Sequence, residues 1–286
     1  MRVFIFGSLY GKWFHILRAQ KELDYDVAIG CGLSGLYNRW SKKKYKKIYE
    51  IERMPKNLRE KTVYKNVRGG DFFKFFEKQN RNTLFPFVLE KPTYVLKHFY
   101  DQASSVVKLE EKQIEIPNLN IMKNGDVYRM GGVTFGGLGG RYSHYLSEPV
   151  YKSNPGHREY KKINYQYKLE RKKLKDYGKI DILLMNDIVG GWDRGRALDF
   201  SKDNYGTNKL CEDLQVKFLF LGGFFSNTDT LPAWKYSDGS DYIWVLPQDL
   251  EKKAYILDTE TFNLEIYERD GSKFIPKFLI DIFSRS

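Results

Sequence analysis

The chain has 286 residues, 16% of them aromatic, which is enough apolar material for a sizeable core and within the range of one large α/β domain. Lys and Arg outnumber Asp and Glu by 48 to 36, a formal charge of +12 that favours polyanions such as RNA, DNA or acidic headgroups as partners. Two cysteines, Cys31 and Cys211, exclude a disulfide framework and a cysteine zinc site, no run reaches the roughly 18 apolar residues of a membrane span, and the first apolar run is shorter than the roughly 7–15 of a signal-peptide core, so an intracellular, cytoplasmic or nuclear location is expected.

Residues 3–6 are continuously apolar and end in Gly7, the pattern of a strand buried on both faces. Residues 11–23 place Phe14, Ile16, Leu17 and Leu23 at helical spacing, and 27–29 make a second strand before Cys31-Gly32. Strand, helix, strand opens an α/β unit with a right-handed crossover. Residues 38–83 are polar and charged and predict an irregular insertion with short helices. An apolar stretch at 85–96 is broken by Pro86 and Pro92. Residues 114–135 alternate, with turn signals at Pro117-Asn118 and Asn124-Gly125, and predict hairpin strands; the glycines of 136–140 predict a loop.

Residues 158–177 predict an amphipathic helix with Ile163, Tyr167, Leu174 and Tyr177 on one face. A buried strand at 180–184, a helix at 207–214 and a strand at 216–221 follow. Segments 242–246, 253–257 and 264–267 predict a terminal β-meander. With no repeat and no linker, residues 1–286 read as a single domain.

Five short segments follow the buried runs in order. They are Gly7-Ser8-Leu9-Tyr10-Gly11, Cys31-Gly32-Leu33, Glu90-Lys91-Pro92-Thr93, Asp181 through Asp187, and Leu221-Gly222-Gly223-Phe224-Phe225. In this order the chain resembles the calcineurin-like metallophosphoesterases almost end to end, closest to the branch of the RNA lariat debranching enzyme and its inactive, spliceosome-associated relatives. Pro117-Asn118-Leu119 and the run from Gly132 to Gly140 resemble that branch's central strands. The resemblance implies an α/β fold with two β-sheets packed face to face as a sandwich flanked by helices. It also implies metal ligands at the strand ends, in motifs reading roughly GDxHG, GD, GNHE, H and GHxH. Here Ser8, Tyr10, Leu33, Lys91, Asn186, Gly223 and Phe225 stand at those positions.

A two-metal phosphoesterase uses its cations to polarise the phosphoryl oxygens and to lower the pKa of a bound water. Leu33 and Phe225 carry no donor atom, and Gly223 offers only backbone. Ser8, Tyr10 and Asn186 are weak neutral ligands, and an inward Lys91 repels a cation. His15, His98, His144 and His157 all lie away from the motifs. The expectation is a degenerate site without metal or cofactor, its space filled by Leu33, Phe224 and Phe225. The chain is then a pseudo-phosphoesterase. The alternative is a divergent metal-dependent phosphodiesterase with a rearranged or single-metal site, for which Asp187 and Asp193 are loop carboxylates. Cys31 reads as a buried structural thiol, since no base stands beside it. The glycines of 131–140 are no phosphate loop, because no helix opening with Lys-Ser or Lys-Thr follows.

Positive charge concentrates in two places. Lys42, Lys43, Lys44, Lys46 and Lys47 surround Tyr45, with Tyr49 just after; Arg171, Lys172, Lys173 and Lys175 end the basic face that begins at Arg158. Such surfaces track a phosphate backbone, and interleaved Tyr residues stack bases. The same lysines also suit a solvated helix face or an acidic protein partner. The function expected is a binding or structural module of RNA metabolism or of a ribonucleoprotein.

Overall fold

The computed structural model describes residues 1–9, 13–32, 89–96, 117–139, 169–186, 205–222, 234–235, 241–247, 250, 252–270 and 273–280. The apolar run at residues 3–6 lies in β1 (Arg2–Phe6). It pairs in parallel with β2 (Val27–Gly30), followed by β3 (Thr93–Leu96) and β4 (Leu119–Met122). On its other side β1 pairs antiparallel with β11 (Lys253–Asp258), which continues to β12 (Leu264–Asp270) and β13 (Lys273–Ile280). These seven strands form the first sheet.

The second sheet has six strands. Its parallel centre is β6 (Val133–Leu138), β7 (Ile182–Met185), β8 (Phe218–Leu221) and β10 (Asp241–Val245). Antiparallel β5 (Val127–Met130) and β9 (Trp234–Lys235) close its edges.

Period-two geometry explains why the central strands are apolar throughout. Ile5 and Ile29 of the first sheet meet Phe135, Leu184 and Phe220 of the second in the core between the sheets. Phe4 and Phe6 point the other way, where Ile16 and Ala19 of α1 (Phe14–Glu22) cover them. On the outer face of the second sheet, Leu174 of α2 (residues 169–177) and Leu210 and Leu214 of α3 (Tyr205–Leu214) pack on Leu183, Leu219 and Trp244. The result is the expected mixed α/β sandwich, two sheets face to face between helices.

The local expectations fail at instructive places. Gly136 and Gly137 belong to β6 and not to a loop. A side chain at Gly137 would meet Leu96 Cδ1 at 2.6 Å, and one at Gly136 would meet Ile180 Cδ1 at 3.0 Å, so side chains crowd these positions on both faces. Asn124-Gly125 is not a hairpin turn. It carries the chain from β4 in the first sheet to β5 in the second, and the hairpin lies between β5 and β6 at Gly131-Gly132. Asn124 holds the crossing by exchanging two hydrogen bonds with the backbone of Gly139, at 2.6 and 2.7 Å.

Residues 242–246 are also misplaced by the meander expectation. β10 pairs parallel to β8, and β13 takes the third place beside β12. In α1 the buried place belongs to His15, while Phe14 is exposed with its ring 3.9 Å from that of His15. Tyr177, expected beside Leu174, is exposed. Ile163, Tyr167 and the insertion at 38–83 lie outside the described residues.

Candidate functional site

The carboxyl ends of β1, β2, β7 and β8 converge, and ligands of open α/β sheets bind at such ends. Here the two sheets touch directly. A Cβ on Gly32 would sit 2.4 Å from Ser8 N and 2.6 Å from Gly222 O; one on Gly222 would sit 2.4 Å from Cys31 C and from Gly32 N. Only glycine lets these backbones approach so closely. Two side chains then bond across the junction in opposite directions. The Ser8 hydroxyl donates to Gly222 O at 3.1 Å, and the Asn186 amide donates from Nδ2 to Cys31 O. Main-chain bonds hold the strand ends themselves: Cys31 N to Phe6 O at 3.1 Å and Gly222 N to Met185 O at 2.8 Å.

Ser8 is 5% exposed and Asn186 is fully buried. Asn186 Oδ1 has no hydrogen-bond partner among the described residues. The Cys31 thiol is fully buried and donates to Phe6 O at 3.4 Å. Burial pushes its pKa far up, so it stays a thiol and no nucleophile. The described groups of the junction are therefore neutral: a hydroxyl, an amide, a thiol and backbone carbonyls. Among the described residues no three His, Cys, Asp or Glu side chains cluster to hold a metal ion.

The structure brings Ser8 and Asn186 together but not Lys91. Lys91 precedes β3 and lies at the opposite end of the sheet, where Nζ donates to Tyr25 O and stands 4.3 Å from the centre of the Tyr25 ring. Because β3 begins at Thr93 in register with Ala28, its carboxyl end comes after Leu96 and not near Lys91. Tyr10, Leu33, Gly223, Phe224, Phe225, Asp187, Asp193 and Lys42 through Lys47 lie outside the described residues.

The opposite end of the sandwich carries charge. Asp181, just before β7, accepts from Thr134 N at 3.0 Å and Thr134 Oγ1 at 2.7 Å, and pairs with Lys217 at 3.4 Å. Burial pushes the Asp181 carboxyl up, but the Thr134 donors and the Lys217 ammonium outweigh it and hold it below the usual carboxylate range. Lys217 also lies 3.8 Å above the ring of Phe262, in the turn between β11 and β12, and so reaches the first sheet. Arg2 grips Glu265 with two bonds, 2.9 and 3.0 Å. No motif in the sequence marks these partners.

On α2, Arg171 is half-buried while Lys172, Lys173 and Lys175 are exposed. Lys173 lies 3.8 Å from Asp126, and Lys175 pairs with Asp213, which Lys209 also meets at 3.3 Å. The described residues hold 19 Lys and Arg against 16 Asp and Glu, a net +3 of the chain's +12. Residues 33–88, which leave the carboxyl end of β2, hold 15 against 5, a net +10.

No family model matches the chain, and neither does any curated protein. One solved crystal structure aligns with 94% of this chain and 99% of its own at 13% identity and a TM-score of 0.53. A 5'-nucleotidase precursor from Thermus thermophilus aligns with 98% of this chain and 53% of its own at 11% identity and a TM-score of 0.38. The first likeness is one of fold, and the second is too loose to bear on this chain's chemistry. No helix among the described residues is long and apolar enough to cross a membrane.

Proposed function

We propose that the chain is a single-domain, metallophosphoesterase-like protein that binds and does not hydrolyse, as a structural module of RNA metabolism or of a ribonucleoprotein. The observation that carries this reading is the neutral, glycine-tight closure of the strand ends by Ser8 and Asn186. A two-metal centre needs anionic and imidazole ligands around an open position. The kinship with the debranching branch rests on the motif frames and supports RNA by analogy.

The polyanion contact is assigned to Lys42, Lys43, Lys44, Lys46 and Lys47, within the segment that holds a net +10. α2 is the weaker candidate, because Lys173 and Lys175 already face carboxylates. The test combines catalysis and binding. Purified protein with manganese, iron or zinc is offered a phosphomonoester, a phosphodiester and branched RNA, and no turnover is expected. Filter binding of single-stranded RNA across salt should give a slope of roughly −0.7 per phosphate contact, and replacing the five lysines by Ala should weaken different sequences alike. Metal-dependent turnover that disappears in Asp187→Ala would overturn the reading in favour of a divergent metal-dependent phosphodiesterase with a rearranged or single-metal site. RNA affinity unchanged by the lysine substitutions would remove the polyanion role.

A further inference from the structure

We propose that the outer face of α2 docks an acidic, amphipathic segment of a partner protein. α2 turns Leu174 into the core over the second sheet. Its other side presents Leu169 at 40% exposure and Tyr177 at 51%, two of the five large apolar side chains exposed among the described residues, both on one nine-residue helix. Lys172 and Lys173 lie between them, and spacings of three and four residues put Leu169, Lys172 and Lys173 on one face with Tyr177 at its margin. Exposed leucine and tyrosine flanked by cations form a surface with both apolar and electrostatic content.

The local charges choose the partner. Lys173 and Lys175 already have carboxylates beside them, Asp126 and Asp213. Lys172 and Lys179 are exposed and form no ion pair among the described residues. Two open ammonium groups next to two apolar side chains complement a segment that alternates carboxylates with leucine-sized side chains. A phosphate strand fits less well. It needs a continuous cationic track and has nothing to place on Leu169. The proposal uses no residue of the Lys42–Lys47 segment, so it stands whether or not that segment binds RNA.

The isotope-labelled full chain is titrated with a synthetic peptide in which Glu and Leu repeat at helical spacing, and separately with an oligouridylate of equal charge. The peptide should move the amide signals of residues 169–179, and the oligouridylate should leave them in place. Leu169→Ser with Tyr177→Ser should weaken the peptide about tenfold, and Lys172→Glu about fivefold. The altered side chains are exposed, so melting temperatures should not change, and this is checked on each variant. A peptide that moves none of these signals, an affinity indifferent to the apolar pair, or an oligouridylate that moves the same signals and displaces the peptide would each overturn the proposal. The last outcome would make α2 a phosphate track.

Discussion

The two ends of the sandwich join the same pair of sheets by different chemistry. Where the parallel strands finish, Ser8, Asn186 and two glycines close the gap with neutral bonds and backbone contact. Where they begin, Lys217 reaches over the Phe262 ring and Thr259 Oγ1 donates to Gly131 O at 3.1 Å, while the ion pairs stay within one sheet each, Asp181 to Lys217 in the second and Arg2 to Glu265 in the first. Neutral closure tolerates changes of pH and salt but not changes of shape. The end that carries the ion pairs depends on pH. At the strand ends that suit ligand binding the described junction groups are neutral, and the Asp181 and Arg2 ion pairs lie at the other end of the strands.

The sharpest way to break the comparison is to add one methyl group at the neutral end. Gly32→Ala and Gly222→Ala each place a carbon 2.4 Å from main-chain atoms that no rotamer change can move. A loss of roughly 3 kcal/mol or more is expected, enough to unfold a marginally stable domain, and urea titration measures it. Gly132→Ala is the control. It meets no atom within 4 Å, and its positive φ of 81° should cost about 1 kcal/mol.

Asn186→Asp comes next. It removes the donor to Cys31 O and puts a carboxyl into a fully buried place. Roughly 2–4 kcal/mol should be lost at neutral pH, less in acid where the new carboxyl is protonated. Equal stability at pH 5 and pH 8 would mean that the junction opens to water.

At the charged end the effects are smaller and depend on pH. Burial raises the carboxyls of Asp181 and Glu265, but Thr134 and Lys217 outweigh it for the first and Arg2 for the second, so both titrate below their ordinary values. A depressed carboxyl stabilises the fold fully above its unfolded pKa, about 4, and loses that contribution as pH falls through the folded value. Melting temperature should therefore fall below about pH 4. Asp181→Asn should cost about 1 kcal/mol at pH 7 and flatten the acid limb, since the pair is partly exposed. The smallest effect belongs to α2. Lys172, Lys173 and Lys175 changed together to Ala break two surface pairs and should shift stability by less than about 1 kcal/mol in thermal melts.

What could be read in the sequence follows the same division. The strands buried on both faces, β1, β7 and β8, stand out because burial demands apolar residues at every position. β13 does not. Ile275 and Leu279 are exposed, Pro276 interrupts it, and its register slips at Lys277, so no alternation survives. Gly136 and Gly137 read as a loop because their reason lies in Leu96 and Ile180, far away in sequence. Ser8 and Asn186 were legible as strand-end residues, yet the bonds that cross between sheets were not. Lys91 was misplaced because Pro92 hides where β3 begins.

The most direct measurement is the melting temperature of the full chain with and without manganese. A site occupied at a hundred times its dissociation constant would add about 2.7 kcal/mol of stability. The neutral junction predicts that millimolar manganese leaves the melting temperature unchanged. A saturable rise that disappears in Asn186→Ala, with the rest of the fold intact, would contradict it and place a cation where Ser8 and Asn186 now close the gap.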